Sequence, residues 1–136
     1  MIFDYGTILK GFWEDMARLL FVDDDPYTLE TLAKAVEVLG HQALIASSGR
    51  EAYQVATEQL PDLIFIDMRL SDTDGASLIN LLQTQESLAN VPMFILSAGP
   101  AEDAIGRSQA AGARAYLNKP IHLQTLLELI QEYTSE

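Results

Sequence analysis

Four charged side chains in this sequence stand where short apolar runs end, and together they could do phosphate chemistry. They are Asp23, Asp24, Asp67 and Lys119. Because an apolar interior does not hold an unpaired charge, each of them is expected where a buried strand emerges. If the strands are parallel, those ends meet at one edge of a sheet. Acids clustered with one lysine at such an edge are typical of a site for a divalent cation and a phosphoryl group.

The composition indicates one globular domain. The chain has 136 residues, of which 49% are hydrophobic and 21% are charged, as expected for a single soluble core. The absence of cysteine excludes disulfides and thiolate catalysis and is consistent with the reducing cytoplasm, where we expect the protein to act. No apolar stretch approaches the roughly 20 residues of a membrane span, and no secretory signal is recognisable. We therefore expect no membrane partner.

The net charge argues against a nucleic-acid partner. Eight Lys and Arg residues against 20 Asp and Glu residues give a formal charge of −12. Binding to nucleic acid needs clustered basic side chains, which a field of this sign opposes. The same field is compatible with cations and with basic protein surfaces.

From residue 18 onward, apolar runs alternate five times with helix-patterned segments. The runs are continuous rather than alternating, as expected for strands with helices on both faces of the sheet. Strands are predicted at 18–23, 42–46, 62–67, 92–97 and 114–118. Strands and helices in this order predict an α/β fold with a parallel sheet and right-handed crossovers.

The intervening segments carry helix start and stop signals. Asp25 followed by Pro26 is typical of an N-cap and first helical position, and Gly40 is expected to end that helix. Ser48 with Glu51 three residues later forms a capping box. Further helices are predicted after Asp74-Gly75, at 101–111 and from 123 to 130. Residues 1–17 lie outside this frame and are predicted to be an N-terminal extension, helical or extended, to a domain that spans 18–136.

The residue types at the predicted edge favour a hard cation. Three converging carboxylates repel one another, so that a cation must offset them or one must protonate. Oxygen ligands without histidine or cysteine favour Mg²⁺ or Mn²⁺. Lys119 adds a compact positive charge suited to a phosphoryl oxygen. Ser97, at the end of the run 93–96, places a hydroxyl at the same edge.

From Arg18 onward the chain resembles the receiver domain of two-component response regulators. The resemblance is carried by an ordered set of segments: 20–26 (LFVDDDP), 61–70 (PDLIFIDMRL), 74–75 (DG), 94–98 (FILSA), 111–113 (AGA), Tyr116 and 119–120 (KP). It implies a flavodoxin-like (βα)5 fold, a doubly wound parallel sheet of strand order 2-1-3-4-5. It also implies a cis peptide bond between Lys119 and Pro120.

The resemblance implies a role for each matching residue. Asp67 corresponds to the phosphoacceptor, Lys119 to the lysine that pairs with the phosphoryl oxygen, and Ser97 and Tyr116 to the switch pair. The implied ligands of Mg²⁺ or Mn²⁺ are Asp23, Asp24, Asp67 and the backbone carbonyl of Arg69.

The implied function is that of a signalling switch rather than of a turnover enzyme. A histidine kinase or a phosphotransfer protein would supply the phosphoryl group. The face formed by the predicted helix at 101–111, the fifth strand and the last helix would then bind a downstream protein or a second copy of the chain.

Three positions depart from or vary within the family pattern. Ser71 replaces a frequent proline, and Arg69 and Gly99 occupy variable sites beside the phosphoacceptor and Ser97.

Three other functions are compatible with the same fold class. A docking or dimerisation module would act without phosphorylation, although complete acids and Lys119 argue against a degenerate site. A phosphatase with an aspartyl nucleophile commonly needs an acid two residues further on, where this chain has Arg69. A flavin-binding domain would need a phosphate cradle rich in Ser, Thr and Gly after the first strand, which is missing.

Overall fold

The computed structural model describes residues 16–98 and 112–134. Five strands form one parallel sheet in the order β2-β1-β3-β4-β5, which confirms the predicted flavodoxin-like arrangement. They are β1 (Arg18–Val22), β2 (Gln42–Ala46), β3 (Leu63–Asp67), β4 (Met93–Ser97) and β5 (Ala115–Asn118). The predicted helix at 101–111, Gly99 and residues 1–15 of the N-terminal extension lie outside the described residues.

The first two described helices begin at the predicted caps. The described helices are α1 (Pro26–Val38), α2 (Gly49–Gln59), α3 (Gly75–Gln83) and α4 (Leu123–Thr134), with a short 3-10 helix at Glu86–Leu88. Asp25 caps α1, and Ser48 caps α2 through the backbone N–H of Glu51. Leu60, which ends α2 in the left-handed region with φ of 49°, was not foreseen, because glycine usually fills that position. None of the helices in the described ranges combines the length and apolar character needed to cross a bilayer.

The sheet is buried on both faces, which explains why its strands read as continuous apolar runs. One core layer contains Leu20, Ile64 and Ile95, and the other is built around three phenylalanines. Phe65 stacks on Phe21 and on Phe94, with ring centroids 5.2 Å and 5.1 Å apart. These contacts join the three central strands, each of which ends at the edge where the charged residues were predicted.

His41 connects the residue before β1 to the start of β2. Its Nδ1 accepts a hydrogen bond from the backbone N–H of Ala17 at 2.9 Å. The adjacent Gln42 N–H donates to the Ala17 carbonyl. Burial lowers the pKa of the His41 imidazole, which keeps the ring in the neutral form that this contact requires. The pair attaches the residue before β1 to the start of β2.

Gly75, the first residue of α3, allows this helix to approach the end of β3. A Cβ atom at this position would lie 2.9 Å from the Asp67 carbonyl oxygen and 3.2 Å from the Met68 Cα. Both of these are backbone atoms, which cannot rotate away. The glycine therefore sets the distance between α3 and the strand end that carries Asp67.

We expect Gly75→Ala to lower the free energy of unfolding by about 1–3 kcal/mol, because the added methyl group overpacks a backbone contact. Urea denaturation measures this change. Asn80→Ala, an exposed substitution in the same helix, is the control and should change stability by less than about 0.5 kcal/mol. Equal stability of the two variants would contradict the prediction.

Candidate metal and phosphoryl site

The register of the two central strands brings the predicted acids together. Val22 of β1 pairs with Ile66 of β3, so Asp23 and Asp67 follow paired residues at the same edge of the sheet. One carboxylate oxygen from each of Asp23, Asp24 and Asp67 lies within 4.8 Å of the other two. Asp23 is buried, Asp67 is half-buried and Asp24 is exposed. The cluster predicted from the sequence is therefore present and open to solvent on one side.

Lys119 contacts two of the three acids. Its Nζ lies 2.6 Å from Asp23 Oδ2 and 3.3 Å from Asp67 Oδ2. Partial burial by itself lowers the pKa of the ammonium group, but the hydrogen bond to Asp23 and the charges of Asp67 and Asp23 outweigh it and raise the pKa above its ordinary value. Lys119 therefore remains protonated and partly offsets the repulsion within the cluster. The predicted cis peptide bond to Pro120 is also present.

The pKa of the Asp67 carboxyl group is higher than that of an ordinary surface aspartate. Burial raises the pKa of its carboxyl group; the charge of Lys119 opposes this rise and that of Asp23 adds to it. The net shift is upward. The ionised form is thus less favourable in the folded protein than in water, and the carboxylate gains from any further positive charge placed beside it.

Ser97 is the last residue of β4, Tyr116 lies within β5, and the two residues contact each other. The Ser97 carbonyl accepts hydrogen bonds from the Tyr116 hydroxyl at 3.3 Å and from the Lys119 backbone N–H at 3.1 Å. Ser97 is buried and the tyrosine is half-buried. The tyrosine packs against the core layer that contains Ile95. The structure thus connects the predicted switch pair with the lysine of the charged cluster.

Arg69 lies in the loop that follows Asp67. Its backbone N–H faces the Asp67 carboxylate and favours the ionised form of that group, and its side chain is exposed. Within residues 16–98 and 112–134, no acidic side chain forms an ion pair with its guanidinium group. The backbone contact brings this loop against the acid cluster, whereas the guanidinium group extends into solvent.

Two further aspartates help to hold this edge, and the sequence analysis assigned neither of them to the site. The backbone N–H of Asp25 donates to Asp23 Oδ1 at 2.9 Å, which fixes the orientation of the buried carboxylate. Asp72 accepts two hydrogen bonds from the N-terminus of α2. The sequence showed Asp25 only as a helix cap, and the contacts of Asp72 join residues more than 20 positions apart.

The donor set fits a small divalent cation. The candidate ligand atoms of the three side chains are all carboxylate oxygens, and together these carboxylates carry more negative charge than Lys119 offsets. Mg²⁺ and Mn²⁺ prefer such ligands and retain coordination positions for water or phosphate oxygens. Asp23, Asp24 and Asp67 are the side chains that could hold the ion.

The raised pKa of Asp67 predicts the effect of Asp67→Asn on stability. A carboxyl group whose pKa is raised in the folded state stabilises the fold below its unfolded pKa, near 3.8. It loses this contribution as pH rises through the folded value. At pH 7 without divalent cation, we therefore expect the asparagine variant to melt at a higher temperature than the original chain. The difference should shrink as the pH approaches 4 or as Mg²⁺ is added.

Calorimetry at several pH values measures this difference. Asp62→Asn, which changes an exposed acid at the opposite end of β3, is the control for the loss of one negative charge. A melting temperature of Asp67→Asn at or below that of the original chain at pH 7 would contradict the prediction.

Comparisons with known proteins agree with this geometry. The family model described as the response regulator receiver domain matches residues 19–131. The polar-differentiation response regulator DivK of Brucella ovis is 27% identical over 118 residues, which cover 87% of this chain and 96% of that protein. Protein PilH of Pseudomonas aeruginosa is 31% identical over 115 residues, or 85% and 95% of the two chains.

A solved structure with the same fold contains a metal ion. It is the receiver domain of a sensor histidine kinase from Pseudomonas aeruginosa, with a magnesium ion coordinated in the active-site cleft. Its sequence is 26% identical, the TM-score is 0.81, and the match covers 89% of this chain and 99% of that one. The family match spans most of the chain and the sheet has the expected strand order. The chain therefore belongs to the response regulator receiver domain family of two-component signalling.

Proposed function

We propose that this protein is a phosphorylatable receiver in which Asp67 accepts a phosphoryl group in a Mg²⁺-dependent reaction. The observation that supports this most strongly is the position of Lys119, whose ammonium group contacts both Asp23 and Asp67. Lys119 is only partly exposed and bridges the two acids rather than extending into solvent. A lysine that pairs with the oxygens of an incoming phosphoryl group must lie there.

In the proposed reaction the ionised Asp67 carboxylate is the nucleophile. One of its oxygens forms a bond to phosphorus while the bond from phosphorus to the donor breaks and the donor keeps the electron pair. The donor is a phosphohistidine of a kinase or phosphotransfer protein, or a small acyl phosphate. Lys119 remains protonated, and its positive charge offsets the negative charge that gathers on the phosphoryl oxygens.

The metal requirement follows from the charge of the cluster. When bound, Mg²⁺ would neutralise part of the charge on the carboxylates and on the transferring phosphoryl group. We assign Asp23, Asp24, Asp67 and the backbone carbonyl of Arg69 to its coordination. The hydrogen bond from the Asp25 N–H to Asp23 Oδ1 leaves the other oxygen of Asp23 for Lys119 or for the ion.

We infer that Ser97 and Tyr116 carry the signal away from the site. A phosphoryl group on Asp67 adds negative charge and acceptor oxygens, towards which the Ser97 hydroxyl is drawn. Because the Ser97 carbonyl accepts a hydrogen bond from the Tyr116 hydroxyl, movement of this serine changes the position of the tyrosine. The face that contains β5 and α4 would then present a different surface to a downstream protein or to a second copy of the chain.

Phosphorylation with acetyl phosphate tests the proposal. We expect the chain to gain one phosphoryl group in the presence of Mg²⁺ and to gain none after metal removal with EDTA. Asp67→Asn should remain unmodified because the amide is not a nucleophile, whereas Asp62→Asn should react like the original chain. Intact-protein mass spectrometry measures the added mass.

The same measurement distinguishes the alternative function. A docking or dimerisation module that acts without phosphorylation would gain no mass from acetyl phosphate under any condition. Equal labelling of the original chain and Asp67→Asn would show that another residue is modified and would refute the assignment of Asp67.

The exposed Arg69 side chain predicts an effect on the lifetime of the phosphorylated protein. We expect its guanidinium group to contact the phosphoryl group and to restrict the approach of water. Loss of one charge-assisted hydrogen bond corresponds to roughly a tenfold change in rate, so Arg69→Ala should dephosphorylate about that much faster. Arg50→Ala, another exposed arginine, is the control. Equal dephosphorylation rates in the two variants would contradict this role.

A further inference from the structure

The loop between β3 and α3 is attached to the N-terminus of α2 by the Asp72 carboxylate. Asp72 Oδ1 accepts from the Gly49 N–H at 2.9 Å, and Oδ2 accepts from the Arg50 N–H at 3.0 Å. These are the first two amides of α2, which have no partner within the helix. Both bonds place a negative charge at the positive end of the helix dipole.

Gly49 allows the loop to lie directly against the helix. A Cβ atom at this position would be 2.5 Å from Thr73 Cγ2 and 3.4 Å from Asp72 Oδ1. A larger residue would force the Thr73 side chain, or the loop that carries it, to shift. Asp72 and Gly49 thus act on the same contact from its two sides.

Capping of α2 alone does not account for Asp72. Ser48 already caps this helix, because its hydroxyl oxygen accepts from the Glu51 N–H at 3.1 Å. The two bonds to Asp72 therefore add an attachment for the loop to a helix that has its own N-cap.

The attachment extends through the loop to the acid cluster. Within the loop, the Leu70 N–H donates to the Thr73 carbonyl at 2.9 Å, and residues 69 and 74 form an isolated bridge. The Arg69 N–H in turn faces the Asp67 carboxylate and favours its ionised form. A displacement of Asp72 is thus transmitted through backbone hydrogen bonds to Arg69 and from there to Asp67.

We propose that Asp72 is a positioning residue that holds the backbone of Arg69 in place beside Asp67 and so preorganises the cation site. The inference rests on the proposed function, in which the Arg69 carbonyl is a metal ligand. Ser71 places no ring constraint on the loop, so the loop depends on hydrogen bonds for its shape. Asp72 supplies two of them, anchored to a rigid helix.

The test compares Asp72→Ala and Asp72→Asn with Asp62→Ala. Asp62 is the matched control because it is also exposed and accepts a backbone N–H, from Arg18 at 2.8 Å, but at the opposite end of β3. Two quantities are measured by NMR on the full chain: amide hydrogen exchange at Leu70 and Gly75, and the Mg²⁺ concentration that half-saturates the shift of the Asp67 and Arg69 amides. Neither quantity requires phosphorylation.

We expect Asp72→Ala to speed exchange at both amides and to raise the half-saturating Mg²⁺ concentration on the order of tenfold, as removal of a residue that orients a metal ligand commonly does. Asp72→Asn should lie between, because its amide group can accept only one of the two bonds. Asp62→Ala should leave both quantities unchanged. If Asp72→Ala does not fold, Asp72→Asn carries the test and should show the same two effects at smaller magnitude.

Faster amide exchange with unchanged Mg²⁺ affinity would show that Asp72 is only a structural cap and would overturn the inference. An Asp72→Ala variant that matches Asp62→Ala in both quantities would overturn it as well. Failure of the proposed function gives a different result. In that case acetyl phosphate would not modify the original chain at saturating Mg²⁺, while the Mg²⁺ titration would still separate Asp72→Ala from Asp62→Ala.

Discussion

Repulsion among three carboxylates held within 4.8 Å of one another is the constraint on which the rest of this structure depends. Such a cluster exists only where the surrounding fold fixes it and a cation offsets it. Lys119 supplies one positive charge to Asp23 and Asp67, which leaves net negative charge at the edge of the sheet. The site is thus expected to gain from a second cation. Burial raises the pKa of Asp67 and the charge of Asp23 adds to this rise, so the ionised carboxylate gains from positive charge placed beside it.

Two features of the fold hold the acids in place: the register between β1 and β3, and the close contact of α3 with the end of β3. Because Val22 pairs with Ile66, Asp23 and Asp67, which follow them, lie side by side at the same edge of the sheet. The small first residue of α3 then lets this helix press on the backbone of Asp67. Apolar packing and strand pairing therefore set the positions of the two strand ends, while the Asp25 N–H and Lys119 orient the carboxylates themselves.

The sequence predicted those parts of the site that a strand end determines. A continuous apolar run that meets a charge fixes both the strand and its last residue, which is why Asp23, Asp67 and Lys119 were found together. Helix caps such as Asp25 could also be predicted from the sequence, because a cap contacts backbone groups within three residues. The contacts of Asp72 with α2 and of His41 with Ala17 were not predicted. They join distant residues of types that are common on any surface, and no local pattern marks them.

The stacked rings of Phe21, Phe65 and Phe94 link the three strands whose ends carry Asp23, Asp67 and Ser97. Phe21 and Phe65 each stand two residues before an acid of the site, on the same face of the sheet. The stack packs the three middle strands against one another on this face of the sheet. Within the described residues, β5, which carries Tyr116, lies outside this stack and pairs with β4 alone, so it is held by fewer neighbours than the three middle strands.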